Sequence, residues 1–190
     1  MSNPAVLKKV RSTLRLKNIF DTSLAEYRQD TWLDEFDYQV NYNKNYILDI
    51  TFTQSGSAAY PDTHTRHFAI NLKTGETIKA ADAFNASSFT RLARMADEKL
   101  QAEIKTILKE AERDASEEDR KNNVDLFAPL KFTTKNLDEF SVGDRGITFL
   151  YDAGFPHVVQ ALQPEGRYFF SYAELKPFIK RNGVLAQFIR

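Results

Sequence analysis

The sequence predicts an α+β fold in which a largely antiparallel sheet of hairpins packs against one long central helix, with an N-terminal helix and a short C-terminal helix. Three observations predict this class. Apolar and polar residues alternate over residues 36–53 and 68–73, which is typical of half-buried strands. From Ser88 to about residue 115 the apolar residues recur at intervals of three and four, which indicates one amphipathic helix. Alternation returns over residues 140–151 and 167–172.

Length and composition limit the classes of protein. The 190 residues suit one domain with a sizeable core, which we divide into an N-terminal helical segment (1–30) and a single α+β domain (31–190). Lys plus Arg and Asp plus Glu number 26 each, so the chain lacks the basic surplus of nucleic-acid-binding proteins. Cysteine is absent, which excludes thiol catalysis, disulfides and thiolate metal sites. No apolar run approaches the roughly 18 residues that span a membrane.

The predicted helices have distinct start signals and periods. Residues 5–28 read as one helix, capped by Asn3 or Ser2 with Pro4 at its first position. The charge-rich segment after the long helix reads as its frayed end and a solvated connector. Four apolar residues of the long helix are expected to pack on the sheet: Leu92, Leu100, Ile104 and Ile107.

The predicted strands begin with a hairpin. Alternating apolar residues run from Phe36 to Tyr42 and resume, after a short Asn-rich turn, from Tyr46 to Phe52. A third strand, Phe68–Leu72, ends at the turn of Thr74 and Gly75. Because their parity agrees across the first turn, five residues are expected to be buried on one face: Tyr38, Val40, Leu48, Ile50 and Phe52.

A second hairpin and a short helix are predicted in the last third. Gly143 to Gly146 join two short strands, and a final strand follows at Arg167–Tyr172. Ser171 and Glu174 have the spacing of a capping box, which predicts that a short helix opens there.

Four stretches, taken in order, resemble a known family. They are YILDITFTQSGSAAYPDTHTRHFAINLKTGETI, AADAF, FSVGDRGITFLYD and RYFFSYAELKPFI, which together cover roughly residues 36–182. The pattern is similar to a family of bacterial envelope domains of unknown function, which includes the extracellular domain of the RsiV anti-sigma factor and accessory domains of peptidoglycan deacetylases. Here Ser57 replaces the first Gly of the family's loop, and Tyr60 stands where many members have His.

The resemblance implies a place and a function. It implies an extracytoplasmic location, periplasmic or at the cell surface, with a signal peptide or anchor trimmed away; the residues alone also fit a cytoplasmic protein. We expect a non-catalytic binding or sensing domain whose partner is an envelope protein, such as a lysozyme, or a peptidoglycan fragment. Two alternatives stay open: a hydrolase or metal-dependent enzyme acting on cell-wall material, and a structural accessory domain without a ligand. The oligomeric state is not predicted.

No catalytic or metal-binding motif is present, and no cofactor is expected. Strand parity places His64 with Phe68 on the inward face and turns His67 the other way, so the two histidines do not converge on a metal. His157 follows Pro156 in a loop, without a nucleophile elbow or a metalloprotease motif beside it.

Two loops are the predicted ligand-facing surface. They are residues 55–63 and 154–160, and each places a proline beside an aromatic residue or a histidine, which makes a rigid exposed contact point. Both leave strands of the predicted sheet, and the first coincides with the family's most characteristic loop. The candidate ligand-binding residues are Tyr60, Pro61, Asp62, His64, Phe155 and His157.

Overall fold

A four-stranded antiparallel sheet and a three-stranded antiparallel sheet form the framework, in a computed structural model that describes residues 3–29, 32–57, 60–113 and 116–190. The larger sheet has the order β1-β2-β3-β4, with strands Leu33–Lys44, Ile47–Ser57, Pro61–Asn71 and Glu76–Thr77. The smaller has the order β5-β6-β7, with strands Phe140–Val142, Gly146–Leu150 and Arg167–Ser171. The predicted antiparallel α+β class is confirmed, although the strands form two sheets rather than one.

The seven α-helices of the described residues are α1 (Pro4–Thr13), α2 (Leu16–Phe20), α3 (Leu24–Gln29), α4 (Ala80–Ala83), α5 (Phe89–Ala111), α6 (Glu117–Phe127) and α7 (Tyr172–Leu175). Short 3₁₀ segments lie at Ala86–Ser88, Thr134–Asp138, His157–Leu162 and Ala186–Phe188.

Helix α5 is the predicted long helix, and it packs against β7 and the 3₁₀ segment Thr134–Asp138. Leu92, Leu100 and Ile104 are buried, and Ile107 packs half-buried against the same core. The helix ends at Ala111, a few residues before the predicted end near residue 115, which itself lies outside the described residues. The main core joins α5, the smaller sheet and one end of the larger sheet, to which Tyr42, Ile47 and Ala69 belong.

The N-terminal helix is three helices rather than one. Asn3 caps α1 as predicted, because its side chain accepts a hydrogen bond of 3.0 Å from the Ala5 amide; Ser2 lies outside the described residues. Asp21 takes a left-handed conformation (φ 54°) directly after α2, which ends that helix. The break lets Ile19 pack under the larger sheet with Ile50 and Phe52, in a small second core.

Helix α6 stands where a solvated connector was predicted. It begins at a capping box in which the Asp119 amide donates to Ser116 Oγ at 3.1 Å and the Ser116 amide donates back to the Asp119 carboxylate at 3.3 Å. The C-terminal end of α6 packs on the protein through Phe127, which is buried in the main core. The prediction weighed the charge of this segment and overlooked the capping pair.

The first hairpin confirms the pairing of two strands but corrects several details. Asn45 and Tyr46 form the turn, so Tyr46 is not a strand residue. A bulge between Val40 and Tyr42 shifts the register of the pairing with β2. Tyr42 therefore points to the main core, whereas Val40 is the cross-strand partner of Ile50. Of the five residues predicted to be buried, Ile50 and Phe52 are buried and Leu48 is half-buried. Tyr38 and Val40 are exposed, because the small second core draws its sheet residues from β2 and β3.

Candidate functional site

The tip of the β2–β3 hairpin meets the segment after β6. The register of β2 and β3 runs to the pair Ser57 and Pro61, which places Tyr60 at the tip; Ala58 and Ala59 lie outside the described residues. The Tyr60 ring stacks on the His157 ring with 4.7 Å between centroids and 29° between planes. The predicted loop 55–63 is thus largely strand, because β2 continues to Ser57 and β3 already begins at Pro61. It touches the predicted loop 154–160 through one residue from each.

The segment after β6 has an inner and an outer side. Gly154 takes a positive φ of 64°, and its amide donates to Asp152 Oδ1 at 2.8 Å. The next residue, Phe155, packs half-buried against the main core, with its ring 5.4 Å from the Phe127 ring. Phe155 is therefore not the exposed ring that was predicted. His157 and Val158 face solvent instead, in the 3₁₀ segment that follows Pro156.

The far end of this segment is fixed by helix α5. Glu103 accepts hydrogen bonds from the Glu165 amide at 2.6 Å and from the Tyr168 hydroxyl at 3.0 Å. Burial first, and then the hydrogen bond to Glu103, raise the pKa of Tyr168 well above its ordinary value. The hydroxyl therefore stays protonated and keeps donating. The segment that carries His157 is therefore held at one end by the packing of Phe155 and at the other by the hydrogen bonds to Glu103.

The other predicted residues form a second pair on the hairpin. Asp62 Oδ2 lies 3.4 Å from His64 Nε2, and both side chains are about half exposed. The His64 ring lies 5.4 Å from the Trp32 ring. Pro61 opens β3 and is exposed. The structure thus pairs Tyr60 with His157 and Asp62 with His64, and turns Phe155 inward.

The histidine assignment is corrected by burial. His64 and His67 do lie on opposite faces of β3, since His64 is opposite Gln54 and His67 is opposite Thr51. However, the His67 side chain is only 8% exposed and the His64 side chain is 49% exposed, so the inward residue is His67. The inward face is the one that approaches the smaller sheet at this point of β3.

A buried polar network centred on Asp49 was missed by the sequence analysis. His67 Nε2 donates to Asp49 Oδ2 at 3.1 Å, because an ionised carboxylate only accepts. On the other side of the ring, His67 Nδ1 and Thr51 Oγ1 are hydrogen-bonded at 3.1 Å. Asn41 Nδ2 donates both to Asp49 Oδ1 and to Thr51 Oγ1 at 2.9 Å. The network thus contains a hydroxyl, an imidazole and a carboxylate in a row, from Thr51, His67 and Asp49.

The same network joins the two sheets. Asp49 is fully buried, and its carboxylate accepts from Ser141 Oγ at 3.0 Å and from the Val142 amide at 2.7 Å, both on β5. Within the described ranges, no three His, Cys, Asp or Glu side chains are arranged to hold a metal ion. None of the helices in that part of the chain is long and apolar enough to cross a membrane.

Comparison with known proteins identifies similar folds. No protein-family model and no curated protein sequence matches this chain. A crystal structure of a DUF3298 family protein from Pseudomonas aeruginosa PAO1 is similar, with a TM-score of 0.55 and 13% identity over 85% of this chain and 71% of the other. A second DUF3298 family structure, from Bacteroides fragilis, has a TM-score of 0.51 and 15% identity over 80% of this chain and 56% of the other.

These neighbours agree with the coarse part of the resemblance found in the sequence, a bacterial family of unknown function. At such identities the likeness concerns the fold. The chain therefore shares its fold with solved bacterial proteins of the DUF3298 family.

Proposed function

We propose that this chain is a non-catalytic binding or sensing domain of the bacterial cell envelope, with its partner docking on the tip surface. The tip surface consists of Tyr60, His157 and Val158 with their flanking loops. The observation that carries the proposal is the stacking of Tyr60 on His157 at 4.7 Å. A ring pair held between two loops is preorganised, so a partner loses less conformational entropy on binding.

The chemistry of the tip surface suits a partner with an apolar or ring-shaped contact. Tyr60 is 65% exposed and Val158 is 87% exposed, and both therefore present apolar area to solvent. Tyrosine combines a large apolar face with a polar hydroxyl, which is why it is frequent at binding hot spots. The exposed imidazole of His157 adds a hydrogen-bonding group beside the two apolar contacts.

The identity of the partner rests on the family resemblance. The loop that carries Tyr60 coincides with the most characteristic loop of the envelope family that includes the RsiV anti-sigma factor domain. We therefore propose an extracytoplasmic location and a partner that is either a wall-active protein, such as a lysozyme, or a peptidoglycan fragment.

The proposal is tested by calorimetric titration with lysozyme and with purified muropeptides. Tyr60→Ala and Val158→Asp are each expected to weaken binding by more than about 1 kcal/mol, which is roughly fivefold or more. Tyr38→Ala is the matched control, because Tyr38 is 60% exposed but lies on the edge strand β1. Binding that is equally strong in all three variants would remove the assignment of the tip surface.

A hydrolase acting on cell-wall material is the second candidate, and the Asp49 network favours it. Thr51, His67 and Asp49 stand in the order that activates a hydroxyl nucleophile, with 3.1 Å at each step. Two contacts argue against a hydrolase: Asn41 already donates to the Thr51 hydroxyl, and Asp49 already accepts from the Val142 amide of β5. Hydrolysis of peptidoglycan by the wild-type domain that is lost in the Thr51→Val variant would establish the hydrolase. We expect no hydrolysis by the wild type or by the variant.

A further inference from the structure

The β1–β2 turn forms one wall of an open groove of about 660 Å³. We call it the turn groove, and its residues that matter here are Asn45, Tyr46, Lys73, Asn182 and Arg190. It lies at the opposite end of β2 from the tip surface, since the 11 residues of that strand span roughly 35 Å. A ligand in the turn groove would therefore not touch Tyr60 or His157.

Tyr46 occupies the groove wall in a backbone conformation that disfavours it. Asn45 and Tyr46 both have positive φ, 55° and 58°, which is the geometry of a type I′ turn. Glycine is the usual second residue of such a turn, and a bulky residue there is an outlier. The Tyr46 ring is 63% exposed, so burial in the core does not account for it. Residues held in such conformations concentrate at functional sites.

The charge of the turn groove lining is net positive. The cations Lys73, Lys180 and Arg190 outnumber the carboxylates Glu76 and Asp82, and Glu76 is also paired with Lys9 Nζ at 2.5 Å. Lys73 and Arg190 form no ion pair within the described part of the chain. A concave site with a surplus of positive charge attracts an anion.

An aromatic ring lies beside this charge. Lys73 Nζ lies over one face of the Tyr46 ring, 4.9 Å from its centroid, so a sugar ring would pack on the other face. The exposed amides of Asn45 and Asn182 line the same groove. Asn45 Nδ2 already donates to the Tyr42 hydroxyl at 2.8 Å, which leaves its amide oxygen and its second N–H for a ligand. A ring, neighbouring cations and exposed amides together complement a ligand that has a flat apolar face, a carboxylate and several hydroxyls.

We propose that the turn groove binds an acidic saccharide. The C–H face of a sugar ring packs on Tyr46, the sugar carboxylate faces Lys73 and Arg190, and its hydroxyls bond to the amides of Asn45 and Asn182. This site is separate from the tip surface, and it stands whether or not the tip surface binds an envelope partner.

The test is an NMR titration of the ¹⁵N-labelled chain with two oligosaccharides of equal length. One is a hyaluronan tetrasaccharide, which carries glucuronate, and the other is neutral tetra-N-acetylchitotetraose. The acidic sugar is expected to shift the amide signals of the turn groove and to bind at least about tenfold more tightly than the neutral one. Lys73→Gln and Tyr46→Asn should each weaken that binding, whereas Tyr60→Ala should leave it unchanged.

Tyr46→Asn removes the ring but keeps a residue that tolerates positive φ, so its melting temperature should equal or exceed that of the wild type. If that variant nevertheless fails to fold, Lys73→Gln decides the matter. The proposal is overturned if the two sugars bind equally, if inorganic phosphate displaces the acidic sugar at equal concentration, or if both groove variants bind like the wild type. It is also overturned if the acidic sugar causes no shifts in the groove at millimolar concentration.

Discussion

Asp49 on β2 accepts a hydrogen bond of 2.7 Å from the backbone amide of Val142 on β5, and this contact fastens the larger sheet to the smaller one. Both residues are fully buried. His67, Asn41 and Ser141 donate to the same carboxylate, so its charge is stabilised by donors from both sheets. A buried carboxylate is retained at low cost only when it is bonded in this way.

Replacing Asp49 should strongly destabilise the fold. Asp49→Ala leaves the Val142 amide and His67 Nε2 without their acceptor and removes one of the two acceptors of Asn41. We expect a loss of about 3 kcal/mol or more in the free energy of unfolding. Urea denaturation measures it. Glu35→Ala is the control, because Glu35 is an exposed acid on the same sheet and should change stability by less than about 0.5 kcal/mol. Equal effects of the two substitutions would contradict the role of Asp49 in holding the two sheets together.

The burial difference between cross-strand partners Val40 and Ile50 gives a second prediction. They are paired in the register of β1 and β2, but Ile50 is 6% exposed and Val40 is 46% exposed. Ile50→Asp buries an unpaired carboxylate and should cost several kcal/mol, about 3 or more, whereas Val40→Asp should cost less than about 1 kcal/mol. Thermal melts of both variants decide it. An unchanged melting temperature for Ile50→Asp would mean that the register is wrong.

The long helix gives a third prediction. Leu100 is fully buried in the main core, so Leu100→Ala should lower the free energy of unfolding by about 2–5 kcal/mol. Val124→Ala on α6 serves as the comparison, because Val124 is 50% exposed and its truncation should cost about 0.5 kcal/mol or less. A change within experimental error for Leu100→Ala would show that α5 extends into solvent.

The capping box at α7 predicts a dependence on pH. The Ser171 hydroxyl first, and then the Ser171 amide, donate to the Glu174 carboxylate and lower its pKa below the ordinary value. A lowered pKa in the folded state means that this stabilisation exists above the pKa of the unfolded chain and is lost as pH falls through the folded-state pKa.

Glu174→Gln mimics the protonated acid. Its melting temperature should therefore lie below that of the wild type near neutral pH, and the two should converge as the pH falls through the folded-state pKa of Glu174. Melting curves across this range measure the difference. A difference that is the same at every pH would contradict ionisation as its cause.

Several elements could be predicted because local signals agree with the tertiary structure. The strands β2, β3, β5, β6 and β7 follow from period-two alternation, and α5 from its three-and-four spacing. The helix α7 follows from the capping pair of Ser171 and Glu174, which the structure contains. Each of these strands, and α5, buries one face, and that face produces the spacing of apolar residues from which the element was predicted.

The Asp49 network could not be predicted from alternation alone. Asp49 occupies a polar position of β2, and such a position ordinarily faces water. Here that face meets β5 of the other sheet, and the pattern of one strand carries no information about which surface it will meet. The one-residue bulge before Tyr42 could not be predicted for a similar reason, because it reverses the facing of Tyr42 and the rest of the strand without interrupting the apolar series.

The candidate site was predicted in position more than in detail. Proline and aromatic residues in two loops pointed to the contact that Tyr60 makes with His157. The same reasoning misplaced Phe155, because an aromatic residue next to proline in a loop equally suits a ring that closes the core. Only the packing of Phe127 decides between the two.

The most direct test of the central proposal maps the partner onto the chain. Amide hydrogen exchange of the purified domain is measured with and without an excess of lysozyme or of a muropeptide mixture. We predict slower exchange confined to residues 55–63 and 154–160, and no such protection when Tyr60→Ala is used. Protection that falls elsewhere, or that persists in Tyr60→Ala, would contradict the tip surface as the binding site.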